Sequence, residues 1–145
     1  MLKNLTLAGL VLLFASSAYA EDMPKGDAAK GEGVFKKCMA CHRIGPDAKN
    51  TVGPVLTGVI GRKTGTAPDF SYSKLNLAVA SIDHVWTEDK IFTYLQDPNT
   101  YLKKVLTDAG KPDLAVGSTK MAFKLVDPNE RADVIAYLKT FSPAK

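Results

Sequence analysis

Two cysteines, separated by two residues and followed at once by a histidine, constrain this chain more than any other feature. They read Cys38-Met39-Ala40-Cys41-His42, and no other cysteine occurs in the 145 residues. C-x-x-C-H is the attachment signal for a c-type haem. Two intervening residues let both sulfurs reach one edge of a flat macrocycle and add across its two vinyl groups. The histidine is then held beside the ring, where its imidazole can bind iron. In a chain of this length a covalently held haem would supply much of the core.

The N-terminus bears on where such chemistry would occur. Lys3 precedes an apolar run from Leu5 to Phe14, then small residues up to Ala18-Tyr19-Ala20. A positive n-region, an apolar h-region and Ala-x-Ala together read as a secretory signal peptide cleaved after Ala20. The alternative, an uncleaved anchor, is opposed by an apolar stretch shorter than the ~20 residues a spanning helix needs. The expected organisation is therefore a signal segment at 1–20 and one domain at 21–145, exported to a bacterial periplasm. The formal net charge of +4 includes Lys3 and is too small to argue for nucleic acid, and no basic stripe with interleaved aromatics occurs. An oxidising compartment also raises a rival reading, a Cys38–Cys41 disulfide with thioredoxin-like redox function. That reading leaves His42 without a role and lacks a strand before the motif.

Along the chain the pattern predicts helices joined by long loops. Asp27–Lys37 reads as helical with Asp27 as N-cap. Gly31, a costly residue inside a helix, hints at a close helix crossing. Ile44 to Phe70 is rich in glycine and proline and reads as a long loop, which in a compact domain is best explained by wrapping something. Short helices are expected at Ser73–Ala80 and at Glu88–Gln96, the latter capped by Thr87 with Glu88 and Asp89 in its first turn. Asp97-Pro98 starts another helix through Tyr101, Leu102 and Val105, and Thr107 to Val126 looks irregular. Asp127-Pro128-Asn129-Glu130 has capping-box character, opening a final helix with Val134, Ile135, Tyr137, Leu138 and Phe141 at helical spacing. The fold class is all-α.

A haem iron held by His42 has one axial position left. Met1 leaves with the signal, Met23 lies near the mature N-terminus and Met39 lies inside the attachment loop. Met121, in Ser118-Thr119-Lys120-Met121-Ala122-Phe123, is the expected second ligand. His84, just before Trp86, is the alternative and would make a bis-histidine site.

The ordered set of motifs resembles the class I c-type cytochromes, of the bacterial cytochrome c2 and mitochondrial cytochrome c type. Gly31-x-x-x-Phe35 precedes Cys38-x-x-Cys41-His42. Gly53-Pro54-x-Leu56, Gly61-Arg62-Lys63-Thr64-Gly65, Tyr72, Asn76, Trp86, Tyr94-Leu95 and Pro98 follow. Thr119-Lys120-Met121-x-Phe123 and Val134-Ile135-Ala136-Tyr137-Leu138 complete the pattern. The resemblance implies a single-domain fold of helices and long loops wrapped around one haem c, with His42 and Met121 as the axial pair. It implies that the Pro54 carbonyl accepts a hydrogen bond from the His42 ring, orienting the imidazole and tuning its donation. Tyr72 and Trp86 would direct polar hydrogens at a buried propionate, with Arg62, Asn76 and Thr119 nearby. Tyr94 would lie on the methionine side, Phe123 would shield the haem, and Gly31 and Phe35 would pack against Val134 and Tyr137. The segment from Leu102 to Ser118 is an insertion relative to the short mitochondrial pattern.

The function this implies is one-electron transport by a monomer, not catalysis. Its partners would be periplasmic redox proteins, such as a quinol–cytochrome c oxidoreductase, a dehydrogenase, a photosynthetic reaction centre or a terminal oxidase. His/Met ligation raises the reduction potential and burial favours the less charged ferrous centre. Lys36, Lys37, Lys63, Lys120 and Lys124 flank the motifs expected at the haem edge and would steer acidic partners. The competing reading is a haem enzyme or gas-binding cytochrome with an open distal site.

Overall fold

The computed structural model describes residues 22–143. The expected signal segment and its cleavage site lie outside the described residues. Among the described residues there are five α-helices: α1 (Ala28–Phe35), α2 (Lys74–Ala80), α3 (Glu88–Gln96), α4 (Pro98–Asp108) and α5 (Pro128–Lys139). Among the described residues β-structure is limited to an isolated antiparallel bridge between Lys63 and Val85. The fold class is all-α, as the sequence predicts.

Four of these helices, α1, α2, α4 and α5, start where a side chain satisfies free amides of the first turn. Asp27 accepts from the amides of Ala29 and Lys30 at 2.9 and 3.2 Å. Ser73 accepts from Asn76 at 3.1 Å, and Asp97 from Thr100 at 3.0 Å. Asp127 accepts from Asn129 and Glu130 at 2.8 and 3.3 Å. Two caps differ from expectation. Thr87 occupies the N-cap of α3 without a side-chain capping bond; its hydroxyl donates instead to Asp89 Oδ1, a stronger, charged acceptor within reach. Glu130 directs its carboxylate to Lys37 Nζ, at 2.6 and 2.7 Å, tying α5 to the segment after α1.

α1 and α5 make the closest crossing. A Cβ on Gly31 would lie 2.0 Å from the Asp133 carbonyl oxygen and 2.9 Å from Tyr137 Cβ, so only glycine permits this approach. The Asp27 amide donates to Asp133 Oδ1 at 2.7 Å, and the Phe35 and Tyr137 rings lie 5.4 Å apart. Gly31 thus meets Asp133 and Tyr137, while Phe35 and Val134 share the buried core and the wall of a central cavity. Elsewhere Leu75 and Val79 of α2 and Leu102 and Leu106 of α4 are almost wholly buried, and the two helices pack together.

The long segment 44–70 contains no helix. Its course is fixed by backbone bonds to distant residues: Gly58 N to Phe141 O at 2.9 Å, Gly61 N to Trp86 O at 2.7 Å and Thr64 N to His84 O at 2.8 Å. The stretch expected to be irregular from Thr107 begins slightly later, because α4 runs to Asp108, and it holds one 3₁₀ turn at Pro112–Leu114.

Candidate haem site

A cavity of about 400 Å³ opens between α1, α3, α5 and the two long loops, a size typical of cofactor sites. Its wall includes both cysteines, the His42/Met121 pair and the pocket residues that the resemblance implies: Cys38, Cys41, His42, Pro54, Arg62, Tyr72, Asn76, Trp86, Tyr94, Thr119, Met121 and Phe123. Leu56, Val59, Leu95, Val134 and Leu138 supply apolar surface between them.

The attachment motif is shaped by the end of α1. Beyond Phe35 the chain continues in tight i→i−3 turns, with Lys37 N bonded to Val34 O and Cys38 N to Phe35 O. The Cys38 carbonyl then accepts from both Cys41 N, at 3.0 Å, and His42 N, at 2.9 Å. One turn therefore presents both thiols and the imidazole to the same cavity. Burial, opposed by Lys37 and assisted by Cys41, pushes the Cys38 thiol up to about 11. A thiol–disulfide catalyst requires a depressed thiol pKa, usually at a helix N-terminus. Here the pair follows a helix C-terminus, which removes the thioredoxin-like reading.

His42 is fixed from two sides. Its Nδ1 donates to the Pro54 carbonyl at 2.7 Å, which leaves Nε2 as the free donor nitrogen. A Cβ on Gly53 would stand 2.4 Å from His42 Cε1, so the glycine before Pro54 is what lets the loop lie flat against the ring. Gly53 N also donates to Cys41 O at 2.7 Å. Burial lowers the His42 pKa, partly offset by the Pro54 bond, with Arg62 adding to the decrease; the ring is held in the neutral form that a metal requires.

Across the cavity the Tyr94 hydroxyl donates to Met121 Sδ at 3.4 Å, and burial raises the Tyr94 pKa to about 12, keeping the phenol protonated. A thioether sulfur has two lone pairs, so this contact leaves one for a metal. The Met121 amide bonds Thr119 Oγ1 at 3.2 Å. Thr119 Oγ1 in turn donates to Asn76 Oδ1 at 3.1 Å, and Ser73 Oγ donates to the same oxygen at 2.7 Å. Tyr72 Oη accepts from Ala67 N at 3.1 Å, so its own proton is available to the cavity. Arg62 Nη1 donates to Val55 O at 2.9 Å and Thr57 O at 3.5 Å, and the Nε and Nη2 hydrogens remain. These groups fit a largely apolar macrocycle that carries two carboxylates, with paired thiols, an oriented imidazole and a thioether to hold it.

His84 does not line this cavity. Its Nδ1 lies 2.7 Å from Thr64 Oγ1 and its Nε2 2.9 Å from Tyr101 Oη. Both nitrogens are engaged, and the bis-histidine alternative falls. His84, Thr64 and Tyr101 form a buried polar cluster behind Trp86, whose ring is 4.8 Å from that of His84. Nothing in the order of residues joins these three, since Thr64 and His84 come from separate loop positions and Tyr101 from α4.

The lysines expected around the haem edge are exposed, and three are compensated. Lys37 pairs with Glu130 at 2.6 Å, Lys63 with Asp83 at 2.9 Å and Lys124 with Asp97 at 2.6 Å. Lys120 bonds the Ser71 carbonyl and lies 5.8 Å from the Phe70 ring centroid. The cationic ring is weaker than the bare sequence implies.

A cytochrome c family profile matches residues 28–142. Cytochrome c2 iso-1 of Rhodospirillum centenum is 66% identical over 117 residues, covering 81% of this chain and 98% of that protein. A cytochrome c2 of Rhodopseudomonas palustris is 60% identical over 114 residues, covering 79% and 97%. The solved cytochrome c2 structure from Rhodospirillum centenum superposes with a TM-score of 0.80 at 64% identity, covering 81% of this chain and all of that one.

Proposed function

Since this chain belongs to the cytochrome c family, we propose that it is a cytochrome c2-like, periplasmic one-electron carrier in which His42 and Met121 would hold the haem iron. As a cytochrome c it is a haem-based electron-transfer protein and not an enzyme. Cys38 and Cys41 would hold the haem c as thioethers. The bound haem supplies an Fe(III)/Fe(II) couple that takes up and gives back one electron without making or breaking a substrate bond.

The protein's own residues determine how that couple behaves. Pro54 orients His42 and keeps its proton on Nδ1. Tyr94 donates to the Met121 sulfur, withdrawing electron density from it and favouring the ferrous state. Arg62, Tyr72, Asn76, Trp86 and Thr119 offer polar contacts to the propionates, and Phe123 covers the macrocycle. The observation carrying this reading is the meeting, in one cavity, of a His42 ring with only Nε2 free and a Met121 sulfur held by Tyr94.

The decisive measurement is an absorption spectrum of the purified holoprotein, with Met121→Ala beside it. A reduced c-type α-band and a weak ferric band in the far red, lost in Met121→Ala, are expected. Five-coordinate iron that takes up carbon monoxide readily would replace this reading with a gas-binding or catalytic cytochrome.

Export rests on the N-terminal pattern at 1–20. Among the described residues no helix is long and apolar enough to cross a membrane. The proposed donors are a quinol–cytochrome c oxidoreductase or a periplasmic dehydrogenase, and the proposed acceptors a reaction centre or terminal oxidase. The lysines left without a carboxylate, Lys36 and Lys120, would contribute to steering those partners. We take the carrier to be a monomer. Determining which purified partner reduces it at physiological salt tests the assignment.

A further inference from the structure

The segment 116–124 carries Met121 and is built as a strap. It has no regular structure, and within it Thr119 and Met121 are turned inward while their neighbours are exposed. Its far end is pinned where Leu125 N donates to Leu95 O at 2.8 Å. Between the strap and the first turn of α4 lies a surface cleft, open to solvent and lined by Asn99, Thr100, Ser118, Thr119, Met121 and Lys124. Packing therefore does not back the strap on this side, and polar tethers must hold it.

Those tethers are unequal. Lys124 to Asp97 and Lys120 to Ser71 O are made by exposed lysine side chains, which contribute little once salt screens them. Asn76 holds only the Thr119 hydroxyl. Asn99, on α4, accepts from the Thr119 backbone amide through Oδ1 at 3.2 Å. Among the described residues this is the bond by which another element grips the strap's backbone between 116 and 124. It sits two residues from Met121, and Thr119 in turn bonds the Met121 amide. Asn99 itself is firmly placed at the second position of an eleven-residue helix that starts at Pro98 and is capped by Asp97.

We propose that Asn99 is a positioning residue for the Met121 sulfur: its hold on the Thr119 amide keeps the strap closed over the cavity and sets how often the sulfur releases the iron. The inference rests on Met121 being the sixth ligand, as proposed above. Without Asn99 the strap would retain the Asn76 contact and the lysine tethers while its backbone would be free to swing into that cleft.

The test compares the ferric holoprotein with Asn99→Ala and Asn99→Asp. A carboxylate at 99 still accepts the amide bond, so Asn99→Asp is the rescue variant. The first readout is the limiting rate of imidazole binding at saturation, which reports sulfur release. The second is hydrogen exchange at the Thr119 amide. Loss of one hydrogen bond predicts a limiting rate about three- to tenfold faster in Asn99→Ala, with faster Thr119 exchange and both restored in Asn99→Asp. Equal rates in parent and Asn99→Ala, or equal acceleration in both variants, would overturn the positioning role while leaving Met121 ligation intact. Absence of the far-red ferric band in the parent itself would overturn both.

Discussion

The Nδ1 nitrogen of His42 donates to the carbonyl oxygen of Pro54 across 2.7 Å, and the glycine before that proline leaves no room for a methyl group against the ring. Orientation of the imidazole is therefore decided by a loop twelve residues away. Gly53→Ala would force the ring or the loop to move. Overpacking of this kind costs about 1–3 kcal/mol. We expect a lower denaturant midpoint for the ferric holoprotein and reduced haem incorporation, measured by chemical unfolding and by the ratio of haem to protein absorbance.

The Tyr94–Met121 contact gives a prediction of opposite emphasis, on potential rather than stability. Tyr94→Phe removes the proton donated to sulfur, making the thioether a better donor to the ferric state. The reduction potential should fall, by at most about 65 mV if a neutral hydrogen bond is worth about 0.5–1.5 kcal/mol. Equilibrium redox titration checks the sign, and an unchanged or raised potential would refute the role given to Tyr94.

Gly31 tests the crossing of α1 and α5. A methyl group there would stand 2.0 Å from the Asp133 carbonyl oxygen, a backbone atom that cannot rotate away. Gly31→Ala should destabilise the holoprotein by about 1–3 kcal/mol despite alanine's better helix propensity. Gly33, which has open space around it, provides the control: Gly33→Ala should be neutral or slightly stabilising. Urea midpoints of the two variants separate the effects.

His84 gives the pH dependence. Burial, with Lys90 adding to it, holds its pKa down to about 4, against an ordinary value of 6.5. Between these values the unfolded chain binds a proton that the folded protein refuses, so stability rises with pH there. The contribution is complete above about pH 6.5 and is lost as pH falls toward 4. His84→Gln keeps a donor and an acceptor for Thr64 and Tyr101 but does not titrate. Its melting temperature should decline less than the parent's between pH 7 and pH 4.

Asp83 bears on steering. It is fully exposed, and its bond and charge interaction with Lys63 hold its carboxyl below the usual range. Asp83→Asn uncovers the Lys63 charge, and asparagine tolerates the left-handed backbone at this position, where φ is 54°. Oxidation of the ferrous protein by ferricyanide, an anion, should become severalfold faster at low salt. The difference should shrink as the Debye length falls toward ~3 Å near 1 M salt. A salt-independent rate in the parent would refute the steering idea.

Much of this protein is local, and local features are legible in a sequence. Caps at Asp27, Asp97 and Asp127, the proline at the first position of α4 and the spacing of Cys38, Cys41 and His42 act over a few residues. Each therefore follows from residue type and order. The long loop from 44 to 70 is likewise marked by its glycines and prolines, which cannot sustain a helix.

Tertiary structure decided what depends on residues far apart in the chain. The sequence offered both Met121 and His84 to the iron; folding placed Met121 beside Tyr94 and spent both nitrogens of His84 on Thr64 and Tyr101. It turned Glu130 from a capping partner into an ion pair with Lys37 and compensated three lysines of the expected cationic ring. It also put Asn99 behind the strap that carries Met121. These outcomes depend on which groups long-range packing brings within hydrogen-bonding distance, and that distance is not written in the order of residues.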